Sequence, residues 1–164
     1  MNIANIRKSM ENISNPVYLG QCEFDCFSFS LNPSTSLDRI NEFKSNYNCV
    51  FPSEYESFLK ITNGIIFFNS GDFRLYSLAE IKDDLELFNY KKNVYPIGCF
   101  LDDIVVINGN EINSGKYIYV GDNYSNDEFY SLNCDFLTFF DRLIVTNINN
   151  FWQWFEPNEY LSLR

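Results

Sequence analysis

At 164 residues the chain has the length of one domain. With 46% hydrophobic and 18% aromatic residues it holds ample material for a core, without help from disulfides or a metal. A formal net charge of −10 with no local basic patch argues against direct binding to nucleic acid or to an anionic lipid surface, and makes a basic protein the natural complement, although such charge also serves simply to keep a protein dispersed.

The chain opens on MNIANIRKSMENI, where Ile3, Ile6, Met10 and Ile13 suit one stripe of a short helix. This start lacks the continuous apolar stretch of a secretory signal, and no later run approaches the roughly 20 apolar residues of a membrane span. The chain is therefore expected in the cytoplasm. Residues 22–31, CEFDCFSFSL, alternate as a half-buried strand should, with a phase slip at Cys26-Phe27 that implies a bulge or bend.

Asn32-Pro33 ends that strand. Thr35 and Asp38 then resemble a capping box, and Leu37, Ile40, Phe43 and Tyr47 continue at helical spacing to about Asn46. A second helix is bounded at both ends in FPSEYESFLKITNG: Pro52 and Ser53 open it, Ser53 and Glu56 form a capping box, and Asn63-Gly64 closes it. Tyr55, Phe58, Leu59 and Thr62 fall on one side of it.

Beyond Gly64 the period becomes extended. Strands are expected at Ile65–Phe68, Phe73–Tyr76, Tyr95–Phe100, Ile104–Ile107, Lys116–Val120 and Glu128–Leu132, joined by short turns such as Leu101-Asp-Asp and Asn108-Gly-Asn. Ser77–Phe88 forms a short helix among them, with Leu78, Ile81, Leu85 and Phe88 on one face. The chain turns helical again at Phe136, Leu137, Phe140, Leu143 and Ile144, starting near Cys134 or Asp135. Phe151, Trp152, Trp154 and Phe155 follow as an aromatic cluster that serves either as a lid on the core or as an exposed docking patch. Short turns make neighbouring strands antiparallel, so the fold class is α+β, a twisted, mainly antiparallel sheet with helices packed against it, in one domain over residues 1–164.

No histidine occurs, which removes Ser-His and Cys-His nucleophile systems, imidazole bases and most catalytic zinc sites. The five cysteines include no C-x-x-C and read as buried reduced thiols. Neither a phosphate-binding loop nor a dinucleotide fingerprint is present, and the Asp122–Glu128 run has the wrong spacing for a calcium loop. Paired carboxylates, for example Asp102 or Asp103 with another acid across the sheet, suit acid–base work in principle, but nothing in the sequence selects such a pair and adjacent acids in a turn are more often solvated. No enzyme activity, metal or cofactor is expected.

The segment Phe-Pro-Ser-x-Tyr-x-x-Phe-Leu-x-x-x-Asn-Gly, carried by Pro52, Tyr55, Phe58, Leu59, Asn63 and Gly64, precedes Leu75, Ser77, Leu78, Glu80 and Ile81 in order. With the Tyr95-Pro-Ile-Gly strand and the Asp135-Phe-Leu-Thr-Phe-Phe helix, the chain resembles the SUKH superfamily, the SMI–KNR cell-wall-regulator type, over about residues 35–145. The Ile65–Phe68 run departs from the glycine-richer turn frequent there. The resemblance implies a similar sheet-and-helix fold and a binding role. Many bacterial members are immunity proteins that neutralise a toxin, often a nuclease, whereas fungal relatives are regulatory interaction proteins.

The expected function is thus an immunity protein that occludes a bacterial toxin by direct protein–protein contact. For a basic nuclease, Asp83, Asp84, Glu86, Asp102, Asp103, Asp122, Asp127 and Glu128 are the candidates to stand in for phosphate charge. The alternative is a regulatory scaffold or a module holding a peptide or small ligand in a groove of the sheet, lined for instance by Tyr117 and Tyr119.

Overall fold

A computed structural model describes residues 29–68, 71–122, 128–154 and 161–163. The expected N-terminal helix stripe, the phase slip at Cys26-Phe27, and the side chains of Cys22, Cys26, Asp127 and Phe155 lie outside them.

Eight antiparallel strands form one sheet in chain order: β1 (Phe29–Leu31), β2 (Ile65–Phe67), β3 (Phe73–Leu75), β4 (Val94–Phe100), β5 (Asp103–Asn108), β6 (Ile118–Asp122), β7 (Glu128–Ser131) and β8 (Leu161–Ser162). Four described helices accompany it: α1 (Leu37–Tyr47), α2 (Ser53–Ile61), α3 (Leu78–Leu87) and α4 (Phe136–Val145). Short 3-10 segments lie at Gly109–Ser114 and Phe151–Trp154. The α+β class and the antiparallel pairing expected from the short turns are both present.

Strand β4 is buried along its whole length, which requires cover on both faces. Its pairing with β5 shifts by one residue between Pro96 and Gly98. Such a bulge reverses side-chain parity, so odd-numbered Tyr95 and even-numbered Phe100 can serve the same face. On that face Tyr95 meets Phe51 (ring centroids 4.8 Å apart), and Phe100 meets Trp152 at 5.4 Å. The α2 ring of Tyr55 and the α4 ring of Phe136, 5.0 Å apart, belong to the same aromatic layer. The opposite face carries α3. Register pairs Arg74 with Cys99 and Phe73 with Phe100, so Arg74 points away from the Phe100 side, and there it meets the α3 carboxylate of Glu80 at 3.4 Å.

The helix boundaries correct several expectations. Ser36, not Thr35, caps α1, accepting from the Arg39 N–H at 3.3 Å. Thr35 is buried, and its backbone N–H donates to Leu59 O of α2 instead. The Ser53–Glu56 capping box is absent. Pro52 occupies the cap position with no side-chain bond, and Glu56 turns its carboxylate to Lys44 of α1. Helix α3 has the complete box, with Ser77 and Glu80 exchanging hydrogen bonds. Asp135 caps α4 through Thr138 N–H at 2.7 Å. Leu31 and Leu37, expected on buried faces, are largely exposed, while Ile40 and Phe43 fill the α1 face.

Asn63-Gly64 does more than end α2, which already stops at Thr62 in extended conformation. The Asn63 side-chain oxygen accepts from Leu78 N–H at the start of α3, and Asn63 O accepts from the Asn32 amide after β1. Gly64 takes φ +101 and lies so close to the chain leaving β3 that an added Cβ would sit 2.8 Å from Leu75 O. The fully buried Thr62 hydroxyl lies within hydrogen-bonding distance of Asn32 O (3.0 Å) and Gly64 O (2.7 Å). One dipeptide thereby joins two helices to the sheet.

A candidate protein-binding surface at the acidic end of the sheet

The β4–β5 hairpin reverses through Leu101 and Asp102. Leu101 adopts φ +58, costly for a residue with a Cβ, and its side chain stays half exposed. Its N–H donates to Asp72 O at 2.6 Å, tying the start of β3 to the same hairpin. Asp103 opens β5 opposite Asp122, the last residue of β6, and Glu128 opens β7. The strand register thus gathers Asp72, Asp102, Asp103, Asp122 and Glu128 at one end of the sheet. Phe68 is 39% exposed there and packs edge-on against Phe73, the residue paired with Phe100.

Asp103 differs from its neighbours. Its Oδ2 accepts from Trp152 Nε1 at 2.7 Å, Asn150 Nδ2 at 3.0 Å and Gln153 Nε2 at 3.3 Å. This carboxylate fastens the turn that follows α4 onto the hairpin, while Asn150 Nδ2 also reaches Phe100 O at 3.2 Å. Held in this way, Phe151 and Trp152 are buried against Phe139 and Phe100, whereas Trp154 stands 68% exposed. The aromatic cluster is therefore both a lid and an exposed patch, divided between residues two positions apart.

The acids anticipated from the sequence do not form one surface. Asp102, Asp103, Asp122 and Glu128 share the sheet end. Asp83, Asp84 and Glu86 ride on α3, which covers one face of the sheet as the chain runs from Leu75 back to Val94. Asp84 accepts from the Tyr90 hydroxyl at 3.1 Å; Glu86 accepts from the Tyr47 hydroxyl at 2.9 Å and lies 3.8 Å from Lys82. The motif residues Tyr55, Phe58 and Leu59 are fully buried, so they serve the scaffold. Asp72, Leu101 and Phe68 were not anticipated as surface partners, whereas Trp154 belonged to the aromatic cluster read as a lid or a docking patch.

The groove imagined around Tyr117 and Tyr119 is filled. Both rings are buried; the Tyr117 hydroxyl binds Glu54 and receives Phe136 N–H at 3.0 Å, and the Tyr119 hydroxyl donates to Glu111 at 2.7 Å. Burial raises the pKa of Tyr117 above its usual value, with the Glu54 hydrogen bond acting in the same direction. Open hollows lie elsewhere on the surface of the described residues. One, of about 340 Å³, lies between α1 and α3 beside Arg39, Glu42 and Lys82; another, of about 330 Å³, lies beside Glu111, Lys116 and Leu161.

Cys49, Cys99 and Cys134 are buried free thiols. Burial pushes Cys49 and Cys134 up to about 12, so both stay protonated and unreactive at neutral pH. Among the described residues no group of three histidine, cysteine or carboxylate side chains is arranged to hold a metal, and no helix is long and apolar enough to cross a membrane. What the sheet end offers chemically is contact: exposed apolar and aromatic side chains set among carboxylates.

The sequence profile of the SMI1 / KNR4 family (SUKH-1) matches residues 34–156. The chain is also 29% identical, over 140 residues, to the uncharacterized protein YobM of Bacillus subtilis (strain 168), an overlap of 77% of this chain and 74% of that protein.

Proposed function

Because the chain belongs to the SMI1 / KNR4 family (SUKH-1), a family that includes immunity proteins, we propose that it neutralises a bacterial toxin by binding the toxin domain directly, with no chemistry of its own. The observation that carries this reading is the sheet end where Leu101 and Phe68 stand exposed with Asp72, Asp102 and Asp122, and where Asp103 fastens the turn that leads into exposed Trp154. Large exposed apolar side chains supply the desolvation on which binding energy rests, and the carboxylates steer a basic partner into register. A nuclease toxin fits best, since its active surface is built to receive phosphate and would accept carboxylates in its place.

The rival reading, a regulatory module that holds a peptide, is favoured by the groove between α1 and α3, where Arg39 and Lys82 offer positive charge. Co-expression separates the two. A toxin domain found encoded beside this gene should kill cells alone and be tolerated when this chain is present. Loss of that protection in a Trp154→Ala and Asp102→Lys double variant supports the sheet end. Protection lost only on Arg39→Ala and Lys82→Ala assigns function to the groove, and no protection by the natural chain refutes the immunity role.

A further inference from the structure

We propose that Trp154 is the anchor of the partner interface and that it receives a guanidinium, an arginine of the partner laid on the indole face next to the turn that Asp103 fastens to the acidic end of the sheet. This inference rests on the reading of a basic protein partner at the sheet end and specifies which group that partner presents.

Presentation of the indole is built into the fold. Trp154 follows directly on the turn that Asp103 fastens through Asn150, Trp152 and Gln153, so its backbone is held before any partner arrives. A backbone held in advance lowers the ordering cost of binding, and tryptophan is among the residues that most often anchor interfaces. Leaving a tryptophan 68% exposed makes no contribution to the core that Trp152, fully buried, already completes.

The surroundings select the occupant by charge. Asp72, Asp102 and Asp122 are exposed around the hairpin, and they disfavour an anion, a lipid headgroup or a nucleic acid. A second copy of this chain, at net charge −10, would bring like charge to the same place. A cation over an aromatic face is attracted by the ring quadrupole, and guanidinium is preferred to ammonium because it is planar, weakly hydrated and able to stack. Leu101 and Phe68 supply apolar flanks for the methylene stem of such a residue.

The test uses the full chain with octa-arginine and octa-lysine peptides at low ionic strength, read by tryptophan fluorescence and by calorimetry. Octa-arginine should bind about fivefold more tightly than octa-lysine. Trp154→Ala should abolish that preference while leaving the thermal midpoint unchanged. Asp102→Lys with Asp122→Lys should weaken both peptides, by far more than the same number of charge reversals at Asp38 and Asp141. Equal affinity for the two peptides, or an arginine preference that survives Trp154→Ala, overturns the anchor. An arginine preference at Trp154 in a chain that fails to protect against the toxin would uphold this inference and refute the immunity role.

Discussion

Removing the Asp103 carboxylate should loosen the C-terminal turn and leave the rest of the sheet standing. In Asp103→Ala, Trp152 Nε1 loses a 2.7 Å bond to a charged acceptor while its ring stays buried. A hydrogen bond to a charged group is worth about 1.5–3 kcal/mol, and a buried donor left without an acceptor costs a comparable amount. Asn150 Nδ2 keeps Phe100 O at 3.2 Å, so its loss is smaller, on the order of 0.5–1 kcal/mol. Gln153 is exposed and turns to water at almost no cost. The total is about 2–4 kcal/mol, read from urea unfolding with an unchanged denaturant slope. Asp103→Asn, which keeps an acceptor oxygen, should cost only about 1 kcal/mol. Combining Asp103→Ala with Trp152→Phe should return a coupling energy of about 1.5–3 kcal/mol, because either change alone breaks the same bond. Asp103→Ala within about 0.5 kcal/mol of the natural chain, or a coupling energy near zero, would refute the latch.

Other outcomes follow from the interior. Leu59→Ala, at a fully buried position of α2, should destabilise by about 2–5 kcal/mol in the same assay; a loss near zero would contradict its core placement. Gly64→Ala should lower the thermal midpoint by several degrees, since φ +101 strains any L side chain and the new Cβ meets Leu75 O at 2.8 Å. Cys49 and Cys134 are held above their ordinary value of 9.0, at about 12, because burial favours the neutral thiol. The stability they contribute is fully present below pH 9 and is lost as pH rises toward about 12. Cys49→Ala with Cys134→Ala should therefore flatten the alkaline fall of stability between those limits, and an unchanged slope would mean that the thiols ionise freely.

Much of the fold was legible because its signals are local. The β4–β5 hairpin follows from two apolar runs broken by Leu101-Asp102, and the helical spacing of Tyr55, Phe58 and Leu59 identifies α2. The caps were harder. Thr35 and Ser36 are both able to cap α1, and the choice falls to Ser36 because the Thr35 N–H is taken by Leu59 O from another helix. Glu56 is drawn away from Ser53 by Lys44, a contact that no short window contains.

The surface depended still more on distant partners. Asp102 and Asp103 are the same residue type side by side, yet one is exposed while the other is consumed by a turn about fifty residues later. Trp152 and Trp154 share a composition and differ only in which of them Asp103 catches. Sequence patterning supplied the acidic balance and the aromatic cluster. Their meeting at one sheet end depends on strand register, which sets Asp103 opposite Asp122 and brings Asp72 to Leu101.

The central claim, that this end of the sheet receives a basic protein, is tested most directly by the association rate with a toxin domain against which the chain protects cells, measured by stopped flow across ionic strength. The natural chain should associate quickly at low salt and markedly more slowly at high salt. Asp102→Lys with Asp122→Lys should slow association at least tenfold and flatten that salt dependence, with urea unfolding showing that the variant remains folded. An association rate and salt dependence unchanged by that pair of reversals would contradict the account.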